Sequence, residues 1–278
     1  MSKTYLIRTL TPLHVGTGTG LGYVDLPIYR EAHTDFPSIP ASAIKGVLRT
    51  YEIRKLARDL KLPAKDVEKR VETCEEKERD ESVLRLAKLF GNQNWEGSLV
   101  IRDARILFFP VKSLKGVFAL ITCPYVIKRF KEDTGKELFQ GSLEISNAEE
   151  CTVVKNSRAV MEDKEEKLVV LEEFTLRVIR EVGLEVPKLD EERKRRIVLV
   201  SDELFTHMVK TYTEIQTHIK VSVETGTVER GALWTEEYVP SEAVFYFMID
   251  GDYTIPEKTL QIGGNTTSGK GIVEVVEL

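Results

Sequence analysis

Ala243-Val244-Phe245-Tyr246-Phe247-Met248-Ile249 is an unbroken apolar and aromatic run, the pattern expected of a buried central strand. Two further strand-like runs lie at opposite ends of the chain, at residues 5–13 and 272–276. Shorter candidates fall at 98–101, 104–110, 116–122, 168–171 and 196–200, and Ser201-Asp202-Glu203-Leu204 starts a helix-like piece. His218-Ile219-Lys220-Val221-Ser222-Val223 alternates, turns through Glu224-Thr225-Gly226 and resumes at Thr227-Val228-Glu229-Arg230, the signature of a β-hairpin. Strands outnumber helices and do not alternate with them regularly, so the fold class is α+β, a sheet domain carrying insertions.

The 278 residues suffice for one elaborated domain with a sizeable core. Lys and Arg total 40 against 45 Asp and Glu, and the net charge of −5 would not draw in a polyanion. Any nucleic-acid site must therefore be a local basic stripe. No apolar run approaches the ~18 residues that span a bilayer, and Lys3 and Arg8 interrupt the place of a signal peptide's apolar stretch. No membrane association and a cytoplasmic location are expected. Cys74, Cys123 and Cys151 are odd in number and lack C-x-x-C spacing, which argues for ordinary thiols. Asn and Gln total only nine beside abundant Lys and Glu, a composition that leans toward a heat-adapted source.

Pro40 opens a helix in which Ile44, Val47, Leu48 and Tyr51 repeat at helical spacing. Ser42, Lys45 and Arg49 fall on another stripe, presenting a hydroxyl and two cations. From 51 to 90 about half the residues are charged, with both signs interspersed, which reads as a helical insertion with a solvated surface.

Gly264-Asn265-Thr266-Thr267-Ser268-Gly269-Lys270 satisfies G-x-x-x-x-G-K, but Gly271 stands where a phosphate loop needs Ser or Thr. A strand follows instead of a helix, so nucleotide hydrolysis is rejected. What remains is a glycine loop whose bare backbone can approach a nucleic-acid backbone or another chain. Gly16, Gly18, Gly20 and Gly22 recur every second residue, which does not fit G-x-G-x-x-G. Interleaved with Thr17 and Thr19, they offer amides and hydroxyls suited to a phosphodiester chain. His14, Asp25, Glu236, Glu237 and Tyr238 are the acid-base candidates near loop or hairpin junctions. Spacing alone leaves each open to a structural role, since a His beside Gly or an Asp before Leu-Pro serves turns as readily as chemistry. H-E-x-x-H, G-x-S-x-G and clustered Asp pairs are lacking, so zinc-hydrolase, serine-hydrolase and two-metal nuclease readings have no support.

Leu13-His14-Val15-Gly16-Thr17-Gly18-Thr19-Gly20-Leu21-Gly22-Tyr23-Val24-Asp25-Leu26-Pro27-Ile28, followed by Phe36-Pro37-Ser38-Ile39-Pro40-Ala41-Ser42-Ala43-Ile44-Lys45-Gly46-Val47-Leu48-Arg49, resembles the RAMP proteins of CRISPR systems. More closely, it looks like the repeated backbone subunit of the type III-B (Cmr) RNA-guided effector complex. Gly231-Ala232-Leu233-Trp234-Thr235-Glu236-Glu237-Tyr238-Val239-Pro240 and the closing glycine loop agree. That loop is shared by many RAMP proteins. The combination of His14, the glycine ladder, Val24-Asp25-Leu26-Pro27 and Glu236-Glu237-Tyr238 is more specific.

The resemblance implies a single domain over 1–278 with an RRM-like (ferredoxin-like) palm, a helical insertion at 51–95 as fingers, and a β-hairpin thumb within 211–240. Copies would stack in a filament along guide RNA with other subunits of the complex, and each would cut complementary target RNA at regular six-nucleotide intervals. It implies RNA-binding roles for Gly16, Gly18, Ser42, Lys45, Arg49, Gly264 and Lys270. Such contacts grip phosphates while base pairing reads sequence, so binding would be sequence-tolerant and salt-sensitive. Asp25 matches the family's decisive catalytic aspartate and would hold a transient divalent ion, Mg2+ or Mn2+. His14, Glu236 and Tyr238 match positions that assist. Two rival expectations stand beside this metal-dependent endoribonuclease: a non-catalytic RNA-binding scaffold, and a guide-processing RAMP endoribonuclease.

Overall fold

In the computed structural model, residues 2–278 are described except for 21, 146, 164 and 165; Leu21 of the glycine ladder thus lies outside the described residues. The apolar run forms the strand Val244–Asp250, buried from Val244 through Ile249. It pairs antiparallel with the opening strand Ser2–Thr9, Tyr5 facing Phe247 with ring centroids 5.4 Å apart. Its other neighbour is Ala104–Ser113. The opening strand also pairs with the closing strand Ile272–Glu277, so the two ends of the chain share one sheet. The expected strand over 5–13 stops at Thr9, beyond which the Leu10 and Thr11 amides both donate to the Ile272 carbonyl, at 2.8 and 3.2 Å, and the ladder register is lost.

Beyond Ala104–Ser113 the sheet continues through Val117–Thr122, Ile197–Leu199, Glu150–Val154, Phe174–Leu184 and Glu166–Leu171. A pairing of Ser113 with Leu171 brings the last of these back to Ala104–Ser113, closing a ring of six strands. Cys123 and Cys151 are buried in this half, and burial raises both thiols.

The helix opened by Pro40 is Ala41–Leu60, so it runs past residue 51 into the charged stretch. Pro40 offers no side-chain cap, and the Ala41 amide instead donates to Asp103 Oδ1 at 2.7 Å. Lys61 ends the helix in the left-handed conformation, with Pro63 following. Ala64–Glu72 and Glu81–Phe90 complete the helical region, the second capped by Asp80. Ser201 caps the helix Asp202–Thr211, accepting from the Leu204 amide at 3.1 Å. That helix leads into a two-stranded hairpin made of Glu214–Val221 and the return strand Val228–Tyr238. Among the described residues no helix is long and apolar enough to cross a membrane.

Candidate active site

A two-stranded hairpin leaves outward N–H and C=O groups on its edges, and buried ones must find partners. Along the return strand these groups belong to Thr235, Glu237 and Val239, and all six are satisfied by two short segments near residues 13 and 26. The Thr235 amide donates to Asp25 Oδ2 at 2.8 Å, and the Thr235 carbonyl accepts from Leu26 N at 3.1 Å. The Glu237 amide donates to the Leu26 carbonyl at 3.0 Å, and its own carbonyl accepts from His14 Nδ1 at 2.6 Å. Leu13 and Val239 exchange both of their backbone bonds. Asp25 and His14 thus occupy one strand edge two residues apart, about 7 Å at ordinary strand rise. The sequence placed Glu236, Glu237 and Tyr238 near a hairpin junction, and they are the last three residues of the return strand, at the base of the hairpin.

Asp25 is exposed, and Thr235 Oγ1 also donates to its Oδ2, at 2.9 Å. The backbone and hydroxyl donors of Thr235 hold its carboxyl below the usual aspartate value, so it is ionised at neutral pH. His14 is buried. Because Nδ1 faces a carbonyl it must carry the proton, which leaves Nε2 as the basic nitrogen. Two glycines make room for this arrangement. A Cβ at Gly16 would stand 2.6 Å from His14 Nε2, and one at Gly263 would stand 2.2 Å from the His14 carbonyl oxygen. Gly263 also has φ +87°, and the neighbouring Gly264 amide donates to that carbonyl at 2.8 Å. The closing loop therefore clamps His14 from the side opposite the hairpin. Gly18 has φ +94° and open space around it.

Successive side chains of the return strand face opposite ways. Trp234, Glu236 and Tyr238 share a face with His218 of the outgoing strand. Glu236 Oε1 accepts from Trp234 Nε1 at 2.7 Å, and its Oε2 accepts from Tyr238 OH at 2.7 Å and from Asn265 Nδ2. Burial alone would raise the Glu236 carboxyl, but these donors and the nearby His218 ring outweigh it and hold it low. Tyr238 OH accepts from Asn265 at 2.9 Å, and burial followed by the Glu236 carboxylate raises its phenol. His218 stacks on Trp234 at 5.5 Å with its Nε2 3.3 Å from Tyr238 OH. Lys270 Nζ lies 4.8 Å from the Tyr238 ring centroid, and the His14 ring lies 5.5 Å from it. The structure thus gathers His14, Glu236, Tyr238 and Lys270, with Asp25 one step along the edge. Spacing had not pointed to Asn265, His218 or Trp234.

A groove of about 1040 Å³ runs between Ala41–Leu60 and the segment around 259–266. Ser42, Gly46, Thr50, Arg54 and Arg58 follow one another along it at four-residue steps, facing Gln261, Gly263 and Thr266. Lys45 and Arg49 stand on the adjoining stripe. Lys45 Nζ donates to the Leu99 carbonyl at 3.2 Å, and Arg49 lies 3.8 Å from Glu68 and 3.5 Å from Glu72. Among the described residues, no group of three or more His, Cys, Asp or Glu is arranged to hold a metal ion. Asp25, with one oxygen committed to Thr235, offers a single carboxylate.

The model of the RAMP superfamily matches residues 6–274. The chain belongs to that superfamily. Compared with other RAMP proteins, it is 38% identical to the CRISPR system Cmr endoribonuclease Cmr4 of Pyrococcus furiosus, covering 98% of this chain and 95% of that protein. It is 23% identical to the CMR subunit Cmr4 of Saccharolobus solfataricus, with the same coverage. The crystal structure of oligomeric Cmr4 from Pyrococcus furiosus matches with a TM-score of 0.65 and 28% identity, covering 100% of this RAMP chain and 98% of that one. A type III-B Cmr-beta structure bound to cognate target RNA shares the fold, with a TM-score of 0.69 at 17% identity over 100% and 97% of the chains.

Proposed function

We propose that this RAMP protein is the repeated backbone subunit of a type III-B CRISPR effector complex in the cytoplasm. It binds guide RNA, stacks with copies of itself and with other subunits, and cuts complementary target RNA at six-nucleotide intervals. One observation carries the reading: an ionised, exposed Asp25 seated on the same strand edge as the His14 ring. Likeness to a Cmr endoribonuclease over nearly the whole chain supports it. In this reading the large sheet is an RRM-like palm, the helices within 51–95 are fingers, and the hairpin within 211–240 is the thumb.

The groove suits an RNA backbone, because Arg54 and Arg58 can neutralise phosphates while Gly263 lets the chain approach closely. Lys45 and Arg49 would join only by leaving their present partners. Gly16, Gly18, Gly264 and Lys270 complete the RNA contact around the site.

In the cleavage step the ribose 2′-oxygen attacks the neighbouring phosphorus as the bond to the 5′-oxygen breaks, giving a cyclic phosphate. The 2′-hydroxyl loses its proton and the departing 5′-oxygen gains one. Asp25 accepts from and orients the 2′-hydroxyl. His14 Nε2 is placed to hold or move a proton, while Glu236 and Tyr238 keep its surroundings in place. The donor set fits Mg2+ or Mn2+ only as a shared ion, since Mg2+ commonly takes one or two carboxylates and fills its shell with water and substrate phosphates. Held by Asp25, such an ion would supply charge stabilisation at the phosphate.

Asp25→Asn tests the reading. It keeps an oxygen to accept from Thr235 but removes the charge, so a reconstituted complex should assemble, bind target and leave it uncut. Wild-type cutting by that variant would refute the assignment. Loss of cutting in a complex free of other nuclease candidates would also exclude the pure scaffold.

A further inference from the structure

Glu237 belongs among the acid-base candidates by residue type, yet every polar atom of this buried residue is already engaged. Oε2 accepts from the Ile28 amide at 3.1 Å. Oε1 accepts from Arg30 Nη2 at 2.5 Å and from Thr213 Oγ1 at 2.8 Å. Its amide and carbonyl hold Leu26 and His14. Arg30 Nη1 in turn donates to the carbonyls of Asp35 at 2.7 Å and Val209 at 3.1 Å, tying the pair to the helix before the hairpin. Residues 26, 28 and 30 are therefore pinned to Glu237 at alternate positions, and Asp25 is the first residue beyond that run. The Asp25 carboxylate is held by Thr235, its carbonyl accepts from the Gly20 amide at 2.8 Å, and the residue is otherwise exposed.

We infer that the Arg30–Glu237 pair, with Glu237 buried and Arg30 half-buried, is a positioning device that fixes the place of the Asp25 carboxylate relative to the His14 ring, and is not itself a catalytic group. The inference rests on the proposed function. With the pair broken, segment 26–30 loses a side-chain anchor while Asp25 keeps its charge and its bond to Thr235. A reacting group misplaced by about 1 Å costs on the order of a hundredfold in rate, whereas Arg54 and Arg58 of the groove share no hydrogen bond or ion pair with Arg30 or Glu237 among the described residues, so RNA held there is not disturbed.

The test uses the assembled complex, with single-turnover cleavage and target binding measured separately. Glu237→Gln preserves size and one acceptor oxygen but loses the charge that pairs with Arg30, and sets an NH2 group against donors that the second oxygen now satisfies. It should slow cleavage at saturating target by about 10- to 100-fold with binding unchanged. Arg30→Lys should cut faster than Arg30→Met, and Arg30→Met combined with Glu237→Gln should be no slower than the slower single variant. Wild-type cutting by Glu237→Gln, a loss that merely tracks weakened binding, or multiplicative losses in the double variant would each overturn the inference. If Glu237→Gln fails to assemble, the Arg30 variants decide: a graded loss supports the device and wild-type rates overturn it. Asp25→Asn run in parallel separates the two readings. Cutting retained there sinks Asp25 as the centre, while cutting lost there but kept by Glu237→Gln sinks only the positioning role.

Discussion

Tyr238→Phe removes one oxygen from a fully buried side chain. That oxygen donates to Glu236 Oε2 at 2.7 Å and accepts from Asn265 Nδ2 at 2.9 Å. Glu236, itself only 5% exposed, keeps its bonds from Trp234 and Asn265, so the carboxylate loses one donor of three. A hydrogen bond to a charged group contributes about 1.5–3 kcal/mol, and the surviving donors soften the loss, which gives an expected cost of about 1–3 kcal/mol. For a chain of 278 residues that lowers the melting midpoint by about 2 to 10 °C. Circular-dichroism melts of the isolated chain measure this directly. Because no hydrogen bond or ion pair among the described residues joins Tyr238 to Asp25, the assembled complex should keep its cleavage positions and slow far less than with Asp25→Asn. An unchanged midpoint would mean the hydroxyl does not hold Glu236. Abolished cutting with an unchanged midpoint would put Tyr238 in the chemistry itself.

Gly16→Ala would place a methyl 2.6 Å from His14 Nε2, so the buried ring or the backbone beside it must shift; overpacking of this kind costs about 1–3 kcal/mol, and both melting midpoint and cutting rate should fall. Wild-type values for both would contradict the packing described. Neutralising Arg54 and Arg58 together, as Arg54→Gln with Arg58→Gln, should weaken guide binding and reduce the slope of log affinity against log salt by about 1.5 to 2. An unaltered slope takes the groove out of the RNA path. Glu236 has its folded value below its unfolded one, so its stabilisation is present above the unfolded value and lost as pH falls through the folded value. Melts of wild type and Glu236→Gln should therefore converge in acid, and a gap that widens there would reverse the sign.

The central strand was legible because an unbroken apolar run has one economical fate, burial on both faces. The helix after Ser201 was legible because its cap is local, and the Pro40 helix because its apolar repeat is. What escaped was long-range or masked by composition. Arg54 and Arg58 continue a four-residue series begun at Ser42, Gly46 and Thr50, but they lie in a stretch whose mixed charge reads as solvated surface. Asn265 joins Glu236 and Tyr238 only because the closing loop folds against the hairpin, whereas His218 and Trp234 reach them through the hairpin's own register. The six-strand ring depends on Ser113 meeting Leu171, which no local pattern announces. Asp25 and His14 were candidates by residue type and loop position, with roles supplied by family likeness, but their common seat on the return strand joins segments more than 200 residues apart in sequence.

Asp25 and His14 each stand in for a missing neighbour strand, one as acceptor and the other as donor. A lineage that gave up cutting would therefore not be free to discard either side chain, since the hairpin's rim would be left bare. Drift would be confined to look-alikes such as asparagine, and a silenced copy would differ from a working one by a single amide in place of a carboxylate.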